Sequence, residues 1–321
     1  MTPVASPGSH RALIYEQPTE YVSGIGDFLR SGLTNEERTV VMADRRKIEW
    51  LHEDLGAAAS GVDFLDAAET VARRGRVARS LIERLGEGAL SGGPLRVVTE
   101  EDLSVRPSHV VRDYLCMEAA ANVAYGGLPI SILCAYDASV APVEVISACR
   151  STHPETLRGG AVQESSEYRP PAEFIMASSA VVAPPSDAAS LEIEAAVDLA
   201  RARALLRSEA ASASLPPEDV SDLVLAADEV LTNALVHGRA PRALHVYCER
   251  DALVCHVRDA GHGLDPLAAY LPPPEYALRG RGLWIARQTC DALEIASDPG
   301  GTHVRLMMLP ARAEEAEPAG F

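Results

Sequence analysis

Three polar side chains stand four residues apart in the stretch Leu223–Gly238, LVLAADEVLTNALVHG: Glu229, Asn233 and His237. An acid can accept a proton from a hydroxyl or from water. An amide oxygen can hold a hard cation without adding charge that would repel a phosphate. His237 can cap the helix or pack beside a bound phosphate. The apolar residues Leu223, Ala227, Leu231, Ala234 and Leu235 recur at helical spacing, so an amphipathic helix with one buried stripe is expected. That spacing sets the acid, the amide and the imidazole in one row on one face. On an isolated helix such a row is as readily a solvated face as a ligand-facing one, so its neighbours decide.

Three further segments follow. Leu253–Arg258 alternates as a strand and ends in Asp259-x-Gly261-x-Gly263, a carboxylate at a strand end followed by glycines that permit a sharp turn. Gly280-x-Gly282-Leu283 then opens a helical run through Ile285, Ala286 and Thr289. Glycines at a helix start leave N–H groups free to approach phosphate. Finally Gly301-Thr302 begins a last apolar strand. Each glycine pair alone is a turn; all of them in this order between Leu223 and Thr302 form a constellation.

These segments resemble the N, G1 and G2 boxes and the final Gly-Thr strand of the GHKL (Bergerat-fold, histidine-kinase-like) ATPases. Within that superfamily, DEVLTNALVHG is most similar to the anti-sigma-factor serine/threonine kinases of sporulation and general-stress control. The resemblance implies ATP and Mg²⁺ as cofactors, with Glu229 as catalytic base and Asn233 as the magnesium ligand. It implies that Asp259 accepts from the adenine amino group, that Thr302 supports it, and that Gly261, Gly263, Gly280, Gly282 and Leu283 shape the nucleotide cleft and its lid, HGLDPLAAYLPPPEYALR. Arg201 in LARARALL matches a first-helix arginine of those kinases, with Arg203 as the alternative register.

Among GHKL functions, an orthodox sensor histidine kinase requires a phospho-accepting histidine on a helix before the ATPase domain, and residues 154–236 contain none. A topoisomerase- or chaperone-type ATPase requires a transducer after the ATP site, for which the eleven residues beyond Pro310 leave no room. The resemblance therefore implies an anti-sigma factor that binds a sigma factor and phosphorylates a serine or threonine of a STAS-type anti-anti-sigma antagonist, working as a homodimer. Two alternatives stay open: a non-catalytic ATP-dependent partner-binding switch, and an atypical sensor kinase phosphorylating a histidine in trans.

Upstream, short apolar strands (RALIY, RTVVMA, VDFLDA, LRVVT, ISILCAY) alternate with helical segments, including Val71–Leu85 and Ser108–Val123. That alternation predicts a three-layer α/β domain with a largely parallel sheet. It has no G-x-x-x-x-G-K-[ST] and no G-x-G-x-x-G after the first strand, so no phosphate loop. GLTNEERTVVMA and the pair CAYD and THP resemble the MEDS sensory domain of methanogen and methylotroph regulators. By that resemblance His10, Cys134, Tyr136, Asp137 and His153 are candidates to contact a small organic ligand. A metal site from His10, His109, His153 and Cys134 has no ligand spacing in its favour.

The expected organisation is a tail at 1–9, the MEDS-like domain at 10–165, a Pro/Ser/Ala connector at 166–189 with FIMASSAVVA available for one short strand, a GHKL α/β sandwich with a mixed sheet at 190–310, and a disordered acidic tail at 311–321. A net charge of −17 argues against binding nucleic acid or an anionic membrane. No apolar run reaches the ~20 residues of a membrane span, and MTPVASPGSHRALIY lacks a signal-peptide pattern. Six scattered cysteines without C-x-x-C pairs read as reduced thiols, so the expected location is the cytoplasm.

Overall fold

The computed structural model describes residues 8–67, 93–249, 252–271 and 280–310. The helix expected at Val71–Leu85, the triple proline of the lid and the acidic tail lie outside them. The chain divides into two units, Met1–Phe174 and Ile175–Phe321.

The first unit is built on β1 (His10–Tyr15), β2 (Arg38–Ala43), β3 (Val62–Asp66), β4 (Leu95–Glu100), β5 (Ile130–Asp137), β6 (Glu155–Arg158) and β7 (Ala161–Glu164). The order across the sheet is β3-β2-β4-β5-β1-β6-β7, parallel throughout except for the β6–β7 hairpin at one edge. Strand alternation decides what lies on each face. Leu13, Val41, Val98 and Leu133 pack with Ile25 and Leu29 of α1 (Pro18–Thr34) and Leu51 of α2 (Arg45–Leu55). Their neighbours of opposite parity, Ala12, Val40, Val97, Ile132 and Cys134, pack with Val111 of α3 (Ser108–Ala124) and Val145 and Cys149 of α4 (Val143–Thr152). The result is the three-layer α/β arrangement. Local chemistry sets the helix starts: Pro18 is the first residue of α1, inside a Gln17–Glu20 capping box, and Asp44 accepts from Lys47 N to open α2.

In the connector FIM forms part of a helix, α5 (Pro171–Ser178), where a short strand was one expectation. The second unit's strands are β8 (Ala189–Glu192), β9 (Arg242–Glu249), β10 (Ala252–Asp259), β11 (Ala292–Asp298) and β12 (Gly301–Met308), in the order β11-β12-β10-β9-β8. Every pairing among these described strands is antiparallel, where a mixed sheet was expected. Two residues separate β9 from β10 and two separate β11 from β12, and such short connections join only antiparallel neighbours. α6 (Asp198–Ser212), α7 (Pro217–Val236) and α8 (Gly282–Thr289) cover one face. There Ala202, Leu206, Leu223, Ala227, Leu231 and Ala286 meet Leu244, Leu253, Cys255, Val257 and Leu306.

Candidate functional site

The apolar stripe of α7 is buried against the sheet, which turns Asn233 and the end of the helix toward the start of α8. Val230, Asn233, Ala234, His237 and Gly238 line one wall of a cavity of about 250 Å³. The other walls come from Asp259, Gly261 and Gly263 after β10, from Gly280, Gly282 and Leu283 at the start of α8, and from Thr302 on β12. Segments scattered between Leu223 and Thr302 thus converge on one space.

Each position follows from local structure. Asp259 ends β10, where the register sets it opposite Thr302. It is buried at 8 % exposure, and its Oδ1 accepts from Gly261 N at 2.7 Å, fixing the turn. A Cβ on Gly238 would meet that carboxylate at 2.6 Å. Gly263 lies at φ 90 and Gly280 at φ 86, both left-handed conformations that favour glycine. At the start of α8, Gly282 lies against α7: a Cβ there would be 2.6 Å from Glu229 Oε2 and 3.2 Å from Asn233 Nδ2. Glu229 therefore borders the cavity at the α8 N-terminus and is not among its lining residues. His237 follows α7, its N–H bonded to Asn233 O at 2.8 Å, and it lines the cavity.

The arginines stand apart. Arg201 pairs with Asp198 on its own helix at 3.2 Å, its side chain two-thirds exposed, and Arg203 pairs with Asp228 at 2.7 Å. Neither lines the cavity. Gly238 was not singled out as a site residue, although a glycine just past a helix is itself a signal. Arg242 holds the same corner by donating to Ala234 O and Gly238 O.

Glycines bring backbone N–H groups to one wall of this space, a buried carboxylate forms another, and an amide and an acid meet at the helix start. That donor and acceptor set suits a purine nucleotide with its phosphates at α8 and a divalent cation at Asn233.

In the first unit the structure brings His10, Cys134 and His153 together on the α3/α4 face and adds Glu118 of α3. His10 Nε2 lies 3.0 Å and His153 Nε2 3.2 Å from Glu118 Oε2. Cys134 Sγ is 3.2 Å from the same oxygen and 3.4 Å from His10 Nε2. Burial, with Glu118 adding to it, pushes the Cys134 thiol well above its ordinary value. Tyr136 stacks edge-on to His153 at 5.7 Å, with its buried hydroxyl unpartnered. Asp137 takes no part: its Oδ1 accepts from Ser139 N and Oγ in the turn after β5. His109, on α3, is not a member of the cluster.

Comparison with known proteins gives the following. Residues 192–308 match the family described as the histidine kinase-like ATPase domain. Residues 9–154 match the MEDS family, the methanogen/methylotroph, DcmR sensory domain. Comparison with curated proteins finds no match. Among solved structures the chain is similar to the crystal structure of the RsbU and RsbW domains of Rv1364c from Mycobacterium tuberculosis. The identity is 22 % over 39 % of this chain and 33 % of that one, with a TM-score of 0.30. The chain thus spans about a third of that neighbour's length. Among the described residues no helix is long and apolar enough to cross a membrane.

Proposed function

We propose that this chain, which carries a histidine kinase-like ATPase domain after a MEDS domain, is a cytosolic anti-sigma factor whose ATPase module phosphorylates a serine or threonine on a STAS-type antagonist. The observation that carries the reading is the convergence of Asn233, Asp259, Gly282 and Thr302 on one cavity, with Glu229 at its edge. Asp259 accepts from the adenine amino group, which selects adenine over guanine. The amides at the start of α8 take the phosphates, and Asn233 holds Mg²⁺, which when bound neutralises developing charge on the transferred group. Glu229 takes the proton of the attacking hydroxyl. The similarity of DEVLTNALVHG to the anti-sigma kinases supports the choice of substrate, and also a sigma factor as second partner and a homodimer as the working unit. The MEDS domain controls the module by binding a small organic ligand.

The second reading, an ATP-dependent partner-binding switch without turnover, draws support from Glu229 packing on Gly282 at the rim of the cavity. Incubating the full chain with labelled Mg-ATP and candidate STAS-type antagonists separates the two. Acid-stable phosphate should appear on the antagonist, and Glu229→Ala should abolish transfer while sparing nucleotide binding. Transfer that survives Glu229→Ala removes the mechanism. Nucleotide binding without turnover favours the switch, and acid-labile product phosphate points to a histidine acceptor.

A further inference from the structure

We propose that His10, Glu118, Cys134 and His153 form a closed binding site for one divalent transition-metal ion of zinc-like ligand preference inside the N-terminal domain. The site is separate from the nucleotide cavity and does not rest on the phosphate transfer proposed above; it assigns His10, Cys134 and His153, expected from the sequence as contacts of a small organic ligand, to an ion instead.

The argument starts from the hydrogen bonds behind the two imidazoles. His153 Nδ1 faces the Cys149 carbonyl oxygen at 2.8 Å, an acceptor, so Nδ1 carries the proton and donates it. His10 Nδ1 faces Asn122 Oδ1 at 3.1 Å. The Asn122 amide nitrogen is committed as donor to Thr152 O at 2.8 Å and Ala119 O at 3.0 Å, which leaves its oxygen toward His10. Both rings therefore bear their proton on Nδ1 and turn the lone pair of Nε2 inward. This is the arrangement by which proteins orient metal-bound histidines from behind.

What those lone pairs meet is a carboxylate oxygen and a sulfur. His153 Nε2 is buried without a hydrogen-bond partner, although Glu118 Oε2 lies 3.2 Å away. Two ring nitrogens, one carboxylate oxygen and one sulfur thus crowd together, with the Cys134 thiol proton as the one donor in the group. Protonating both imidazoles would relieve the crowding but would set two cations side by side, their ring centroids 4.2 Å apart, in a region where His153 is wholly buried. The burial of two like charges at that distance is unfavourable. A single divalent cation among the four satisfies every lone pair at once.

The dimensions agree. Ligand atoms about 2.0–2.3 Å from a tetrahedral zinc stand ~3.3–3.7 Å from one another. The measured separations that involve Glu118 or the His10–Cys134 pair run from 3.0 to 3.4 Å, and all four ligand atoms lie within 4.8 Å of one another. Two imidazoles with a thiolate select a borderline or soft ion over magnesium or calcium. All four residues are at most 9 % exposed, so the site leaves no open coordination position toward solvent, as in structural zinc sites. The ligands come from β1, α3, β5 and the residue after α4, so an ion there would tie two strands to both helices of one layer.

The test uses the reduced full-length protein with ZnCl₂ and CoCl₂. The protein should hold one zinc per chain through dialysis. Its cobalt form should show thiolate-to-cobalt charge transfer with tetrahedral visible bands, and these should persist in Cys248→Ser. Cys134→Ser should lose the charge-transfer band, and Glu118→Gln and His153→Gln should each weaken zinc binding at least tenfold. Asn122→Ala, which removes the support behind His10, should weaken it about tenfold. Circular dichroism confirms that each variant is folded; should Cys134→Ser not fold, the wild-type cobalt spectrum and the Gln variants decide. Folded wild-type protein that takes up no stoichiometric zinc overturns the site. So does a cobalt spectrum without charge transfer, or folded variants that bind as the wild type does.

Discussion

Gly282, the first residue of α8, lies so close to Glu229 on α7 that a methyl group there would stand 2.6 Å from Glu229 Oε2. The acid proposed as base and the glycine proposed to admit phosphate therefore occupy a single contact, and each limits what the other can be. Gly282→Ala tests this. Its backbone is not in the left-handed region and alanine is the better helix former, so stability should change by less than ~1 kcal/mol. The displaced atom is the end of a flexible side chain, so Glu229 should swing out of position. Phosphate transfer should then fall about tenfold or more, while ATP affinity changes much less. Equal losses in transfer rate and affinity would mean that Gly282 serves nucleotide binding alone.

The opposite wall makes a separate prediction. Asp259 is buried with one oxygen committed to Gly261 N, so its remaining acceptor capacity faces the cavity. Asp259→Asn keeps the shape and removes the charge. ATP affinity should fall about tenfold, in line with ~1.5 kcal/mol for a hydrogen bond to a charged group. The preference for ATP over GTP should narrow. Calorimetric Kd values for both nucleotides check it, and an unchanged ATP-to-GTP ratio would free Asp259 from the adenine role.

Much of this was readable in the sequence because the chemistry was periodic. The 3.6-residue stripe Leu223–Leu235 fixed which face of α7 was buried, and so where Asn233 had to point. The same reasoning applied to α3 would have paired Glu118 with Asn122, four residues on, in LCMEAAANVA, where Glu118 is the lone acid in an apolar run. The β6–β7 hairpin was missed for a different reason. Its Gly159-Gly160 turn is a hairpin signal, but β7 is exposed along its whole length and carries no inward-facing alternation. Convergence over long separations, such as His10 with His153, is set by strand order, which no local pattern records.

Arg305 on β12 supplies a prediction about stability. It is 4 % exposed and pairs with Glu294 at 2.6 Å, with Glu249 as a second partner. Removing one member of a buried pair leaves a charge that burial penalises, typically by ~3–5 kcal/mol. Glu249 still partners the guanidinium, so Glu294→Ala should lose about 3 kcal/mol in urea denaturation. Adding Arg305→Leu to Glu294→Ala should recover part of that loss. A double variant less stable than Glu294→Ala would mean that Arg305 contributes through its packing and not through its charge.

The last prediction concerns acid. His256 on β10 is fully buried, with Nε2 3.1 Å from His303 Nδ1, and His245 lies opposite it on β9. Burial first, then the neighbouring His303, Arg305, His245 and Arg258, push His256 down to about 3 from its ordinary 6.5. In the unfolded chain His256 takes its proton below 6.5, whereas in the folded protein it resists until about pH 3. Stability from this group is therefore complete above pH 6.5 and is lost as pH falls from 6.5 toward 3, at roughly 1.4 kcal/mol per pH unit. His303 and His245 are depressed in the same sense, so the acid limb should be steeper than one histidine gives. His256→Leu removes one proton from that linkage. Urea midpoints taken from pH 7 to pH 4 should fall more steeply for the wild type than for the variant as the solution is acidified. Parallel acid limbs would show that His256 is protonated as readily in the folded sheet as in the open chain.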